Sequence, residues 1–440
     1  MSTTQRAAGT PLVAPSGDRR QLLATVISAS LVTGLEMFDF TVFGYFAALI
    51  GDRFFPSHDP MTSLLLAVGT FGVGFFMRPL GAAMIGSYAD RVGRRAAMIR
   101  TTALMALGTA AVGLCPSFAT IGVAAPVILV IGRSLQGFAL GGDLGVSATL
   151  VMETGPVSRR GFLISWQFTS QGTAALLGAS LGVLLTVTMP APSLASWGWR
   201  IPFVAGLLIA PAGWWIRRRL IDGATAPRRI ATSRTGRTLL AELLRDHRKT
   251  MLLAMLMMMG QTIPVYALVF YMPSYMSRVM HMPALTGFEA SALSALLLMA
   301  IPPLAGLLAD RLPRRKPLAL FSSGCTAVLV YPVFLMITRA TTVWPVLGGV
   351  ALISALVAMG AGVVALLVLE AFPAHVRASG IAISHAVHVA LFGATAQFAV
   401  TGLIRMTGNP MAAAWYVAPA CFVSFCAVAL FREHARHTSG

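Results

Sequence analysis

Gly86-Ser87-Tyr88-Ala89-Asp90-Arg91-Val92-Gly93-Arg94-Arg95 closes one apolar stretch of the chain. Gly306-Leu307-Leu308-Ala309-Asp310-Arg311-Leu312-Pro313-Arg314-Arg315 closes another, 220 residues later. In both, a glycine stands four residues before the aspartate and a DRxxRR cluster follows. A second pair keeps nearly the same interval. Glu153 precedes Arg160 by seven residues and Glu370 precedes Arg377 by seven, the two acids lying 217 residues apart. Two independent charge motifs repeating at about half of a 440-residue chain imply two homologous halves. In a membrane protein such halves point to a carrier that rocks one half against the other.

The membrane assignment follows from composition. The chain is 56% hydrophobic and only 11% charged, with a mean hydropathy of +0.77, where a soluble protein carries about 25% charged residues. Apolar runs long enough to cross a hydrocarbon core of about 30 Å fill most of the length. Twelve are expected, near 21–50, 61–87, 96–115, 121–152, 160–189, 200–217, 249–280, 286–309, 317–338, 343–372, 378–407 and 410–431. Long helical pieces without alternating polarity argue against an outer-membrane barrel. The expected architecture is an all-α membrane protein of twelve helices in two pseudo-symmetric six-helix halves. Its parts are a tail over 1–20, a first half over 21–217, a basic linker over 218–248, a second half over 249–431 and a tail over 432–440.

Arginine placement orients the chain. Of 33 basic residues, 26 fall in the N-terminus, the even-numbered loops and the C-terminus. Arg53, Arg200, Arg278, Arg339 and Arg405 lie in or beside the odd-numbered loops. The positive-inside rule therefore puts both termini and the linker in the cytoplasm. The net charge of +18 is mainly a topology signal, because it is scattered over short loops without a nucleic-acid-binding module. The first eighteen residues lack the regions of a signal peptide. Cys115, Cys325, Cys421 and Cys426 lie in or at the ends of apolar runs without metal spacing, and read as packing residues.

Polar residues inside apolar helices are costly in lipid and must face a cavity or a partner. The first run holds Glu36 and Asp39 on one face. The second holds Arg78, the fourth Arg133, Gln136 and Asp143, the fifth Gln167 and Gln171, and the eleventh His385 and His388. Counting roughly 1.5 Å per residue from the cytoplasmic charges puts Glu36, Asp39 and Arg133 in an upper layer at about 24–30 Å. Arg78, Asp143, Gln171 and His388 fall in a lower one at about 15–18 Å. The upper layer pairs two carboxylates with Arg133, and the lower pairs Asp143 with Arg78. Protonating such a carboxylate frees its arginine to hold an anion, and losing the proton restores the pair. The alternative is that these pairs only staple helices together. Tyr266 and Tyr271, in the seventh run, are further candidates to line the site. Asp90, Arg91, Arg94 and Arg95 with Glu153 and Arg160, and Asp310, Arg311, Arg314 and Arg315 with Glu370 and Arg377, are read as a cytoplasmic gate that bridges neighbouring helices.

The two glycine-led DRxxRR loops resemble those of the major facilitator superfamily, and the likeness extends over 20–431. Within it the chain is similar to the metabolite:proton symporters. The segments that carry this are Leu35-Glu36-Met37-Phe38-Asp39-Phe40, Phe75-Phe76-Met77-Arg78-Pro79-Leu80-Gly81, Gly132-Arg133-Ser134-Leu135-Gln136-Gly137-Phe138 and Trp197-Gly198-Trp199-Arg200-Ile201-Pro202-Phe203. Ser165-Trp166-Gln167 with Ser170-Gln171, and Glu370-x-Phe372-Pro373-Ala374-x-Val376-Arg377, resemble the citrate/tricarballylate:proton symporters. The resemblance implies a proton site at Glu36 or Asp39 with Arg133. Asp143 stands where the branch has glutamate. Ser384-His385 and Phe392–Gln397 also depart from its pattern where substrate contacts are expected.

The expectation is a bacterial inner-membrane proton symporter importing an organic anion, a di- or tricarboxylate such as citrate. It needs no cofactor or metal, binds no nucleic acid and works as a monomer. Another metabolite (an aromatic acid or a zwitterionic osmolyte), drug:proton antiport, and a non-transporting membrane sensor are the alternatives. No nucleophile–base set, nucleotide loop or metal cluster suggests an enzyme.

Overall fold

Apolar runs with glycine at spaced positions form long helices that cross closely. The computed structural model describes residues 26, 30, 34, 37–92, 94–141, 156–207, 242–373 and 376–433. The helices are α1 (residues 37–45, then Ala47–Phe54), α2 (Pro60–Phe76, running through Met77 into Arg78–Val92), α3 (Arg94–Gly113), α4 (Ala124–Leu140) and α5 (Arg160–Thr188). They continue with α6 (residues 201–207), α7 (Arg248–Phe270), α8 (Ala284–Arg311), α9 (Lys316–Thr338), α10 (Val343–Ala371), α11 (Ser379–Thr407) and α12 (Ala412–Leu430). Eight of these, α2, α5 and α7 to α12, are long and apolar enough to cross a bilayer, and α3 and α4 contain shorter apolar helices. The expected spans at 21–50, 121–152 and 200–217 are described only in part. Glu36, Asp143 and Glu153 lie outside the described residues, and Asp90, Arg91, Arg94 and Arg95 are described in backbone only.

Large apolar side chains such as Leu107, Leu184, Leu304, Phe321, Val328 and Phe422 stand exposed on the outside of the bundle. An apolar exterior around a well-packed core suits lipid rather than water as solvent. Helix ends follow local chemistry. Asp59 caps α2 by accepting from the Met61 amide at 3.0 Å, and Pro60 opens that helix. Gly408 ends α11 with φ +65°, a left-handed conformation that glycine adopts without strain.

Two crossings set the frame of the interior. Between α2 and α4, a Cβ built on Gly137 would lie 1.6 Å from the Gly74 carbonyl oxygen. Between α5 and α8, a Cβ on Gly306 would lie 2.6 Å from the Gly161 carbonyl oxygen. Thr169 Oγ1 also donates to the Met299 carbonyl at 3.1 Å across the α5–α8 crossing. Gly306 is the glycine that leads the second DRxxRR motif, so its spacing from Asp310 has a packing reason.

That spacing carries Asp310 to the N-terminus of α5. Its two carboxylate oxygens accept from the amides of Gly161 and Phe162, each at 2.9 Å. An aspartate on α8 thus satisfies orphan donors of α5 and complements its dipole. Arg315 is almost wholly buried, lies 3.4 Å from Asp310 and hydrogen-bonds Glu370. Glu433 accepts from the amides of Arg315 and Lys316 at the start of α9. Lys316 Nζ in turn donates to the carbonyls of Ala429 and Phe431 at the end of α12. Within this expected gate Glu370 takes Arg315, and Arg377 Nε donates to the Phe372 carbonyl at 3.2 Å. Arg311 and Arg314 are exposed, and Arg160 is half-buried.

The opposite end is tied too. Arg278, after α7, pairs with Asp52 on α1, and Arg405 on α11 donates to Asp59 at 2.8 Å. Arg53 donates to the Ala195 carbonyl and Arg200 to the Cys115 carbonyl, both at 2.8 Å. Hydrogen bonds from Thr62 and then Arg405 hold the Asp59 carboxyl down to about 2. A depressed carboxylate contributes stability above its unfolded value near 4 and loses it only as pH falls through about 2. The Asp59–Arg405 tie is therefore constant between pH 5 and 8.

Two outcomes are expected. Gly137→Ala lowers the melting temperature of the purified protein in detergent, an overpacking cost of roughly 1–3 kcal/mol or more. Gly348→Ala, whose Cβ meets nothing within 4 Å, does not. Asp59→Asn lowers the melting temperature by the same amount at pH 5 and at pH 8; a loss seen at pH 8 alone would contradict the assignment.

Candidate functional site

The α2–α4 crossing brings Arg78 and Arg133 into the middle of an aromatic cluster. Arg133 is fully buried, its guanidinium 4.0 Å from the Phe40 ring centroid and 4.6 Å from that of Phe43. The Arg78 guanidinium lies 4.2 Å from the Phe75 centroid and 4.8 Å from that of Phe40. The two arginines, expected in separate layers, thus share one ring. Each desolvated ring contact is worth about 2 kcal/mol or more, against the several kcal/mol that desolvating a guanidinium costs.

Asp39 is the carboxylate the described residues supply, and it does not touch Arg133. Three hydrogen bonds connect them instead. Arg133 Nη1 donates to Gln136 Oε1 at 2.7 Å, Gln136 Nε2 donates to Thr109 Oγ1 at 3.0 Å, and the Thr109 hydroxyl donates to Asp39 Oδ2. Asp39 is 5% exposed, Thr109 2%, Gln136 and Arg133 0%. Asp39 Oδ1 packs against Gly206 of α6, where an ideal Cβ would stand 2.4 Å away. Asp39 Oδ1 and Arg133 Nε and Nη2 have no hydrogen-bond partner among the described residues. Asp39 thus reaches Arg133 through a relay, and Glu36, the other acid expected beside Arg133, lies outside the described residues.

Beside this relay lies a cavity of about 170 Å³ between α2, α5, α7, α10 and α11. Of the expected binding residues, Arg78, Gln167, Gln171, Tyr266, His385 and His388 line it. Arg133 and Gln136 sit behind, in the relay. Tyr271 is buried away from the cavity, with its hydroxyl 2.8 Å from that of Thr401. Arg78 Nε and Nη2 have no hydrogen-bond partner among the described residues, and Asp143, its expected partner, lies outside them. His388 Nε2 is 2.7 Å from Thr262 Oγ1, and the His385 and His388 rings meet edge to face at 5.6 Å. No carboxylate occurs among the described lining residues.

Local helix irregularity places two of these walls. Pro264 interrupts α7, and a π turn over Tyr266–Phe270 follows it. His388 is followed by a π turn over Val389–Gly393 in α11. Such turns re-aim side chains in a helix and gather at functional sites. Gln261, Thr262 and Thr109 escaped the reading of the sequence. Gln261 lines the cavity with its Oε1 unpartnered, and the rule that selected Gln167 would have selected it. Thr109 carried no signal, because a helical threonine ordinarily satisfies itself on the preceding turn, as its 3.0 Å contact to the Met105 carbonyl shows. Among the described residues no group of three or more His, Cys, Asp or Glu is placed to hold a metal ion.

Residues 29–396 match the sequence profile of the Major Facilitator Superfamily. The chain is 32% identical to a citrate-proton symporter of Klebsiella pneumoniae, over 95% of this chain and 91% of that one. It is 32% identical to an alpha-ketoglutarate permease of Escherichia coli (strain K12), over 93% and 94%. A proline/betaine transporter of the same strain is 29% identical, over 95% and 85%. Its fold is that of the crystal structure of a D-xylose-proton symporter, with a TM-score of 0.73 at 17% identity over 93% of this chain and 96% of that one. The chain belongs to the major facilitator superfamily, a family of transporters rather than enzymes.

Proposed function

We propose that this transporter moves a carboxylate-bearing organic anion into the cell together with protons, by alternating access. The observation that carries the anion is Arg78, a buried guanidinium that lines a cavity whose other polar groups, among the described residues, are amides, hydroxyls and imidazoles. A desolvated arginine with open donors suits a carboxylate, which can accept two parallel N–H bonds. Gln167, Gln171, Gln261 and Tyr266 would orient the rest of the molecule. The names of the citrate and alpha-ketoglutarate relatives support a di- or tricarboxylate. Tyr266 and Phe270, in the same cavity, are the kind of ring a quaternary ammonium uses, so a betaine belongs among the ligands tested.

Asp39 is the proton site in this reading, with Glu36 the second candidate. A carboxylate buried among phenylalanines and linked to Arg133 alters the charge of the pocket when it takes a proton. The end clusters serve as gates. Opening the basic end releases Asp310 from the α5 N-terminus, and opening the other separates Asp52 from Arg278 and Asp59 from Arg405.

Reconstituted protein should show inward proton flux on addition of citrate, tricarballylate or 2-oxoglutarate. Arg78→Leu should raise the half-saturating concentration roughly 10- to 100-fold, the value of a hydrogen bond to a charged group. Asp39→Asn should retain substrate exchange across the membrane while losing uphill accumulation. A response to betaine and none to carboxylates would overturn the substrate class.

A further inference from the structure

The contacts of Thr109 assign it a task that its sequence did not announce. Its hydroxyl has two acceptors within reach, Asp39 Oδ2 on α1 and the Met105 carbonyl at 3.0 Å on its own helix. Its oxygen also receives the Gln136 amide, which in turn receives Arg133. In the ionised state every hydrogen in the chain points the same way, from guanidinium through amide and hydroxyl to carboxylate. Bonds aligned in this manner polarise and strengthen one another in a low-dielectric interior. Packing holds the chain in line. A Cβ on Gly108 would stand 2.6 Å from the Gln136 side chain, so the neighbouring glycine leaves the space that the amide occupies.

We propose that Thr109 is a positioning residue whose hydroxyl switches between Asp39 and the Met105 carbonyl, and so transmits protonation of Asp39 to Arg133. This rests on the reading of Asp39 as the proton site. When a proton arrives on Asp39 Oδ2, that oxygen becomes a donor and Thr109 Oγ1 accepts from it. The Thr109 hydrogen then turns to the Met105 carbonyl, already at bonding distance. The oxygen still accepts from Gln136, so no covalent bond other than the new O–H forms and no polar group is stranded. The chain from Arg133 now ends on a neutral acid. Arg133, 0% exposed and sharing the Phe40 ring with Arg78, is left without the anion that the described residues supply. The positive potential beside the cavity rises, and an anion entering against Arg78 restores the balance. Proton uptake thereby precedes and favours substrate binding.

Among the described residues, the titratable and charged groups facing this chain are Asp39, Arg133, Arg78 and Tyr266, and Glu36, one turn before Asp39 in sequence, lies outside them. Arg133 faces Asp39, and Asp39, Arg78 and Tyr266 face Arg133. Gly206, the α6 residue against Asp39, is uncharged.

The test compares Thr109→Val, Thr109→Ser and Gln136→Met with wild type and Asp39→Asn in proteoliposomes. Two measurements are made: citrate or 2-oxoglutarate exchange at equal pH, and the pH profile of uphill uptake. Thr109→Val keeps the side-chain shape and removes the hydroxyl. Its pH profile should move by about one unit to higher pH, because the ionised carboxylate has lost a donor. Thr109→Ser should restore the wild-type profile. Gln136→Met breaks the next link and should shift the profile in the same direction, which decides the matter should Thr109→Val not insert. Wild-type profiles in both Thr109→Val and Gln136→Met, with Asp39→Asn uncoupled, would overturn the Thr109 assignment and leave the proton site standing. Full coupling in Asp39→Asn would remove the proton site itself.

Discussion

Two guanidiniums, those of Arg78 and Arg133, share the ring of Phe40 in the interior of an apolar bundle. A charge in such a place is costly without a counter-charge, and among the described residues Asp39 serves Arg133 at the end of a three-bond relay. Arg78, whose expected partner Asp143 lies outside those residues, lines the cavity. The helix crossings exist at this closeness because glycines face backbone at Gly74–Gly137 and Gly161–Gly306. With larger residues there, α2 and α4 would stand apart and the two cations would not meet the same ring.

Relaying Asp39 to Arg133 rather than pairing them directly has a functional consequence. A buried direct ion pair is rigid, and breaking it leaves a stranded charge. A chain of neutral amide and hydroxyl groups can reverse one hydrogen at little cost, so the influence of the proton on Arg133 is graded. The cavity then senses charge without needing Asp39 in its wall. Its neutral polar lining fixes the orientation of a bound molecule, while the arginine supplies the attraction.

The ends of the bundle follow a simpler economy. Asp310 reaches across from α8 to the amides opening α5, so one carboxylate both caps a helix and ties two helices together. Glu433 and Lys316 exchange the same service between α9 and α12. At the other end, arginines that look like exceptions to the orientation rule are the partners of Asp52 and Asp59. Charges that report topology in the sequence therefore also tie helices in the structure.

Composition, run length and the 220-residue interval were enough to establish a membrane bundle with repeated loops, because those features depend only on transfer into lipid and on local spacing. The same reasoning marked Arg78, Gln167, Gln171, Tyr266, His385 and His388, since a polar side chain in an apolar helix is conspicuous anywhere. Which arginine faces the cavity, that Arg315 rather than Arg377 takes Glu370, and that Thr109 and Gln136 stand between Asp39 and Arg133 were decided by tertiary packing alone. A helical period fixes which face a residue occupies but not which helix covers that face, and a threonine or glutamine in sequence carries no mark of its partner. Those choices are set by the depth at which glycines let the helices cross, a quantity that exists only once the chain is folded.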